Sequence, residues 1–244
     1  MRWRSVVRSA LRVAEVPRPR EPRRCLLFAQ GRTGSTLFGE LLDSHPEMHF
    51  AHEILRAKVP SVRLWVAGER RRHPTLVYGF HVKIYQLTDV QGVADPARWL
   101  RRMADQGWRV LSLRRRNVLR HVLSNLAINA TGLTHDRLGQ GPTRLTVDPV
   151  ELVRWMDIRS EVGRRETAAL SGVNHEAFVY EDDLLDSANW PETMARAFSF
   201  IGLDPVPVGT TLKRRNPGRL PDLIENYDEV AAAVASAGYA AFLN

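Results

Sequence analysis

The chain has 244 residues, 44% hydrophobic and 25% charged, which is enough apolar material for a packed α/β domain and too mixed a composition for a fibrous or wholly disordered protein. Its single cysteine, Cys25, excludes a disulfide framework and any cysteine-based zinc site, and no apolar run approaches the ~18 residues of a membrane-spanning helix. The net charge of +8 is concentrated at the start: residues 1–24 carry +6 and the other 220 only +2, so the basic balance does not describe a nucleic-acid-binding body.

Residues 2–16 are predicted as a short basic amphipathic helix, with Trp3, Val7, Leu11 and Ala14 near one face. Such a helix packs on the body or on a second copy of the chain, or touches a membrane surface. Arginines interrupt every stretch that could serve as the apolar core of a secretory signal, so the expected location is the cytoplasm. Residues 17–24 (PRPREPRR) read as a linker, because the three prolines in that run cannot sit in a helix interior or a central strand. Residues 25–244 are expected to form a single domain.

That domain reads as strands alternating with helices. Residues 25–30 (CLLFAQ) are a compact apolar run that fits a buried parallel strand, followed by a turn at 31–34 and a helix over 35–42 with Leu37, Leu41 and Leu42 inward. Strands are predicted at 76–84, 109–113 and 177–180. A helix starts at Asp95-Pro96, with aspartate as its cap, and ends before Gly107. A helix is predicted over 117–129, capped by Asn117. Residues 131–146 read as a Gly/Thr-rich loop. Asp148-Pro149 opens a further helix, with Glu151 completing a capping box, and late helices are predicted at 191–201 and 221–235. The pattern predicts an α/β fold: a parallel sheet flanked by helices on both faces, with ligands at the carboxyl ends of its strands.

Three segments carry chemistry. In the first, a strand leads through Gly31, Arg32, Thr33, Gly34, Ser35 and Thr36 into a helix. The glycines allow a tight turn, the helix start offers backbone N–H groups to an anion, Arg32 adds a full charge, and the hydroxyls add donors. It is not a Walker A loop, whose glycine spacing and lysine are absent. In the second, Arg114, Arg115, Arg116 and Asn117 end a strand, and Ser124 lies two helical turns beyond Arg116, so that the arginine and serine can grip one phosphate. The third is a basic run, with Lys213, Arg214, Arg215 and Arg219, before the last helix. Taken alone, each also reads as an ordinary solvated surface feature.

Together the three resemble the donor site of sulfotransferases that use 3′-phosphoadenosine-5′-phosphosulfate (PAPS). GRTGSTL (31–37) is similar to the family's 5′-phosphosulfate loop, often R-S/T-G-S/T-S/T, and Arg116 with Ser124 to its 3′-phosphate motif, although Val118 stands where many members have proline. VYEDDLLD (179–186) resembles the family's Y-E-D-L step, and the stretch from KRRNPGRLPDL to GYAAFL resembles the ends of bacterial sulfotransferases. The resemblance covers roughly residues 25–244 and implies a P-loop-like, sulfotransferase-type nucleotide-binding fold, with PAPS as donor, 3′-phosphoadenosine-5′-phosphate (PAP) as product and no metal. In that scheme Gly31, Arg32, Thr33, Gly34, Ser35 and Thr36 bind the phosphosulfate, Arg116 and Ser124 hold the 3′-phosphate, and Lys213, Arg214 and Arg215 close over it.

The base follows from the same resemblance. In the carbohydrate-type branch a glutamate after the first helix takes the acceptor's proton, a role this implies for Glu53. His52, His49 and His81 are rival bases, and Lys83 is placed on a strand from which it can reach the transferring group. The expected acceptor is a hydroxyl of a small molecule, sugar or glycolipid, recognised by residues 56–75 and 131–147. Two other readings remain open: an ATP-dependent small-molecule kinase, with Asp182 holding magnesium, and a non-catalytic RNA-binding module using the basic tail.

Overall fold

The computed structural model describes residues 23–131, 144–212 and 218–243. The N-terminal helix and most of the linker, the greater part of the 131–146 loop, and Lys213, Arg214 and Arg215 lie outside the described residues.

Five strands form one sheet: β1 (Arg23–Ala29), β2 (Met48–Ala51), β3 (Val77–Val82), β4 (Trp108–Arg114) and β5 (His175–Val179). Their order is β2-β3-β1-β4-β5, and every neighbouring pair is parallel. The helices are α1 (Ser35–Asp43), α2 (Val62–Arg72), α3 (Pro96–Asp105), α4 (Val118–Thr131), α5 (Pro149–Leu170), α6 (Trp190–Ile201), the short α7 (Leu220–Leu223) and α8 (Tyr227–Ser236).

β1 sits in the middle because its apolar run satisfies both faces of the sheet. Cys25, Leu27 and Ala29 face Phe38, Leu41 and Leu42 of α1 and Phe198 and Ile201 of α6. Leu26 and Phe28 face Leu100 and Met103 of α3, Val66 of α2 and Ala169 of α5. Helices thus cover both faces, as the alternating pattern requires. Each leucine or phenylalanine among them, fully buried, contributes about 1.5–3 kcal/mol. A third cluster joins Leu119 and Val122 of α4 to Leu152 and Met156 of α5 and to Val230 and Val234 of α8. The chain builds β2 and β3 on one side of β1 and then crosses to β4 and β5 on the other. The crevice therefore lies beyond the carboxyl end of β1, where the glycine turn stands.

The caps are partly as expected. Asp95 accepts from the Arg98 N–H at 2.8 Å, Asp148 from those of Val150 and Glu151, and Asn117 from that of Arg120 at 2.9 Å. The capping box at Asp148 is corrected: Glu151 turns along its helix to accept from Trp155 Nε1 at 2.8 Å.

Three further elements depart from the sequence reading. Residues 56–75 are not simply a loop, because 62–72 form α2; Val66 is its one buried side chain, so no apolar stripe announced it. β2 was missed because it is a four-residue edge strand. The helix predicted over 221–235 breaks at Ile224. There the Glu225 N–H donates to the Leu145 carbonyl at 2.9 Å, and the Asn226 amide brackets the backbone of Val147 at 3.0 and 2.8 Å. Among the described residues no helix is long and apolar enough to cross a membrane.

Candidate active site

β1 ends at Ala29 and the chain turns sharply through Gln30, Gly31, Arg32, Thr33 and Gly34 into α1. Thr33 Oγ1 donates back to the Gln30 carbonyl at 2.8 Å and closes the turn. Arg32 has φ 71°, the only non-glycine residue with positive φ among those described, and Gly34 has φ 90°. A left-handed arginine costs about 1–2 kcal/mol, strain of the kind that collects at ligand sites. Gly34 has no side chain with which to cap α1, so among the described residues no N-cap side chain serves its first N–H groups. Gly34 also makes room for Tyr180, because a Cβ there would stand 2.6 Å from the tyrosine ring.

Side chains from β4 and α4 complete this side. Arg32 donates Nε and Nη2 to Ser124 Oγ at 3.3 and 3.2 Å. Arg115 donates to the Arg32 carbonyl at 3.4 Å while its guanidinium lies over the Tyr180 ring at 4.8 Å. His121, buried in α4, meets the Gly31 carbonyl at 2.7 Å through Nε2. Burial, then the charges of Arg159, Arg115 and Arg32, pushes its imidazole down to about 3, so it is neutral and Nε2 carries the donated proton.

Arg116 and Ser124 are not brought together here. Arg116 points outward into an ion pair with Asp182, while Ser124 is occupied by Arg32. Glu181 accepts from the backbone N–H groups of Arg116 and Asn117 at 2.8 and 3.1 Å and holds the start of α4. The acidic residue that a magnesium-dependent kinase would use, Asp182, is thus the partner of an arginine.

On the other side of the turn stands Glu53. Its Oε2 lies 2.6 Å from Lys83 Nζ and accepts from Gln86 Nε2 at 2.7 Å; Oε1 lies 3.9 Å from His81 Nδ1. Gln86 belongs to a π-helical turn (Gln86–Val90) after β3 and is fixed by the Lys83 N–H at 3.0 Å. Burial raises the Glu53 carboxyl, but Lys83, His81 and Gln86 outweigh it and hold it below its ordinary value, as a carboxylate. His81 is fully buried and bonded to the Ala29 carbonyl at 3.0 Å, and burial pushes its imidazole down to about 4. His49 stacks on His73 at 3.8 Å, beside Asp43. His52 lies beside α1, where a Cβ at Gly39 would be 3.5 Å from its ring. Lys83 Nζ and Tyr85 Oη each stand 3.3 Å from where a Cβ on Gly31 would be, so the Glu53 pair and the glycine turn adjoin.

Of the residues read from sequence, Arg32, Ser124, Glu53 and Lys83 gather around the turn together with Gly31, Thr33, Gly34, Ser35 and Thr36. Reasoning from sequence missed Arg115, His121, Gln86, Tyr85 and Arg159; only Arg115 had a signal, as one of three strand-end arginines. No group of three or more His, Cys, Asp or Glu that could hold a metal occurs among the described residues.

No protein-family model matches the chain, and no curated protein matches it. Among solved structures it is similar to mouse sulfotransferase SULT7A1 complexed with PAP, at 9% identity and a TM-score of 0.44, over 89% of this chain and 64% of that one. The chain thus spans less than two thirds of the mouse protein's length. It is also similar to the sulfotransferase domain of the Synechococcus PCC 7002 olefin synthase, at 11% identity and a TM-score of 0.45, over 92% of this chain and 97% of that one. Similarity this remote leaves the chemistry to be read from the side chains themselves.

Proposed function

We propose that the chain is a PAPS-dependent sulfotransferase that moves a sulfuryl group to the hydroxyl of a small-molecule, sugar or glycolipid acceptor. The observation that carries this reading is the Glu53–Lys83 pair set against Gly31: a carboxylate and a cation at the edge of a turn suited to an anion.

The chemistry follows from the groups present. The turn N–H groups and Arg32 take the phosphosulfate, with Ser35 and Thr36 assisting, so Arg32 leaves Ser124. Ser124 is then free for the 3′-phosphate, to which Arg116 turns from Asp182, with Lys213, Arg214 and Arg215 closing over it. Glu53 accepts the acceptor's O–H proton as that oxygen bonds to sulfur and the sulfur–oxygen bond to the phosphate breaks. Lys83 moves toward the oxygens on which charge develops, and its departure raises the proton affinity of Glu53 when a base is needed. In-line sulfuryl transfer resembles phosphoryl transfer in needing alignment and charge neutralisation above all.

Radiolabelled PAPS incubated with the protein and a cell extract should yield a labelled product that survives removal of PAPS. Failure of the protein to bind PAP would refute the reading, and transfer from ATP that requires magnesium would replace it with a kinase.

A further inference from the structure

A buried polar cluster beside the turn has no part in this scheme. Glu166 of α5 is 9% exposed; its Oε2 accepts from Gln30 Nε2 at 3.2 Å, and its Oε1 has no hydrogen-bond partner. Arg159 lies on the same face of α5, two turns earlier. It donates to Gln30 Oε1 at 3.3 Å, and its carbonyl meets Gln30 Nε2 at 3.5 Å. Gln30 is therefore clamped at both ends of its amide, and it is the residue immediately before Gly31. Arg159 also lies near enough to His121, which holds the Gly31 carbonyl, to act on it more strongly than Arg115 or Arg32 does. Arg32 of the turn is thus joined by two further guanidiniums that bond its residues, Arg115 and Arg159, and the latter comes from a helix that none of the three chemical segments includes.

We propose that Arg159 is a further oxyanion-binding residue of this site, oriented by Gln30 and Glu166, and that it takes the phosphate or sulfuryl end of the donor. A structural arginine in such a position is ordinarily neutralised by its nearest carboxylate. Here that carboxyl is pushed up to about 8 by burial, which outweighs the opposing effects of Gln30 and Arg159. At neutral pH it is an acid and leaves the charge of Arg159 available to a ligand. Gln30, from the end of β1, and Arg159, from its own helix, are the groups that act on Glu166. The neighbouring surface is apolar, with Ala169 of α5 joining Leu100 and Met103 of α3. Glu166 is then a positioning residue: once ionised, it draws Arg159 toward itself and weakens the anion site.

The inference rests on the sulfotransferase reading only for the identity of the donor, so the test uses two probes. PAP and inorganic pyrophosphate are titrated into the full chain and into Arg159→Met, Arg159→Lys and Glu166→Gln, with thermal unfolding recorded for each. Arg159→Met should bind both probes about 10-fold or more weakly, as expected for loss of a charged hydrogen bond. Arg159→Lys should recover only part, because an ammonium cannot serve Gln30 and the anion with one planar fork. Wild-type affinity should fall as the pH rises through about 8, and Glu166→Gln should abolish that fall. Unchanged pyrophosphate affinity in a folded Arg159→Met, or the same pH profile in Glu166→Gln as in wild type, overturns the proposal. If wild type binds pyrophosphate but not PAP, and Arg159→Met loses it, the role of Arg159 stands and the nucleotide donor falls. If wild type binds neither, both fall.

Discussion

The ammonium of Lys83 lies 2.6 Å from Glu53 Oε2 and 3.3 Å from where a side chain on Gly31 would begin, so one cation is shared between a candidate base and an anion-binding turn. Paired with Lys83, Glu53 is reliably ionised but holds a proton poorly. Separated from it, Glu53 is the stronger base. The donor's negative charge is what would draw the lysine away.

Glu53→Gln keeps the side chain's size but cannot accept a proton. Turnover should fall about 10²–10⁴-fold, while PAP affinity stays the same or rises slightly because a negative charge has gone. Lys83→Met removes the strongest of the groups that hold the Glu53 carboxyl down, leaving His81 and Gln86, so the acid limb of the pH–turnover profile should move to higher pH. Near-normal turnover of Glu53→Gln would hand the role of base to His52, His49 or His81, and an unmoved acid limb in Lys83→Met would break the coupling.

Arg116 should dominate discrimination of the 3′-phosphate even though it starts in an ion pair with Asp182. Arg116→Ala should weaken PAP about 10- to 150-fold and leave adenosine-5′-phosphosulfate nearly unaffected. Asp182→Asn frees the arginine and should tighten PAP by a fewfold only, since both side chains are more than half exposed and such pairs are weak. Calorimetric titration of both ligands against both variants checks this, and equal losses for the two ligands would remove Arg116 from the site.

The turn should not tolerate a side chain at Gly34. Alanine there takes on a φ of 90° and places its Cβ 2.6 Å from Tyr180, the ring over which Arg115 lies. Gly34→Ala should therefore lower the unfolding temperature and abolish pyrophosphate binding. Adding Tyr180→Ala should recover part of the stability, because it removes the clash but not the backbone strain. A single variant as stable as wild type would show that the turn is not held as described.

Three buried groups set opposing slopes of stability with pH. His81 and His121, pushed down to about 4 and about 3 chiefly by burial, return to 6.5 on unfolding. Their contribution is present above pH 6.5 and is lost as pH falls through the folded values. Glu166, pushed up to about 8 from 4.5, contributes fully below pH 4.5 and loses that contribution as pH rises to about 8. Between 4.5 and 6.5 the two histidines outweigh the one glutamate; above 6.5 only Glu166 acts, by at most about 1.4 kcal/mol per pH unit. Urea midpoints should peak near pH 6.5, and Glu166→Gln should flatten the limb above it. A wild-type midpoint still rising toward pH 8 would contradict this balance.

Local chemistry made much of the frame legible. CLLFA fits a strand buried on both faces, Asp95 and Asp148 cap the helices they precede, and Gly31 and Gly34 bracket a turn after a strand. These depend on near neighbours, which sequence displays. α2 was hidden because it buries one side chain, and the break between α7 and α8 because its cause, Leu145, is far away in sequence.

The sequence by itself thus determined the strand–turn–helix with its glycine turn, the parallel character of the sheet, and the kinds of residue available to the site. Tertiary structure decided which of them meet. Only the adjacency of β2 and β3 brings Glu53 to Lys83; Arg32 reaches Ser124 across 92 residues, and Arg159 reaches Gln30 across 129. At the end of β4 the backbone turns Arg115 toward the turn and Arg116 away to Asp182. Propensity and periodicity act over a few residues, whereas these pairings are set by strand register and helix packing, which no local pattern encodes.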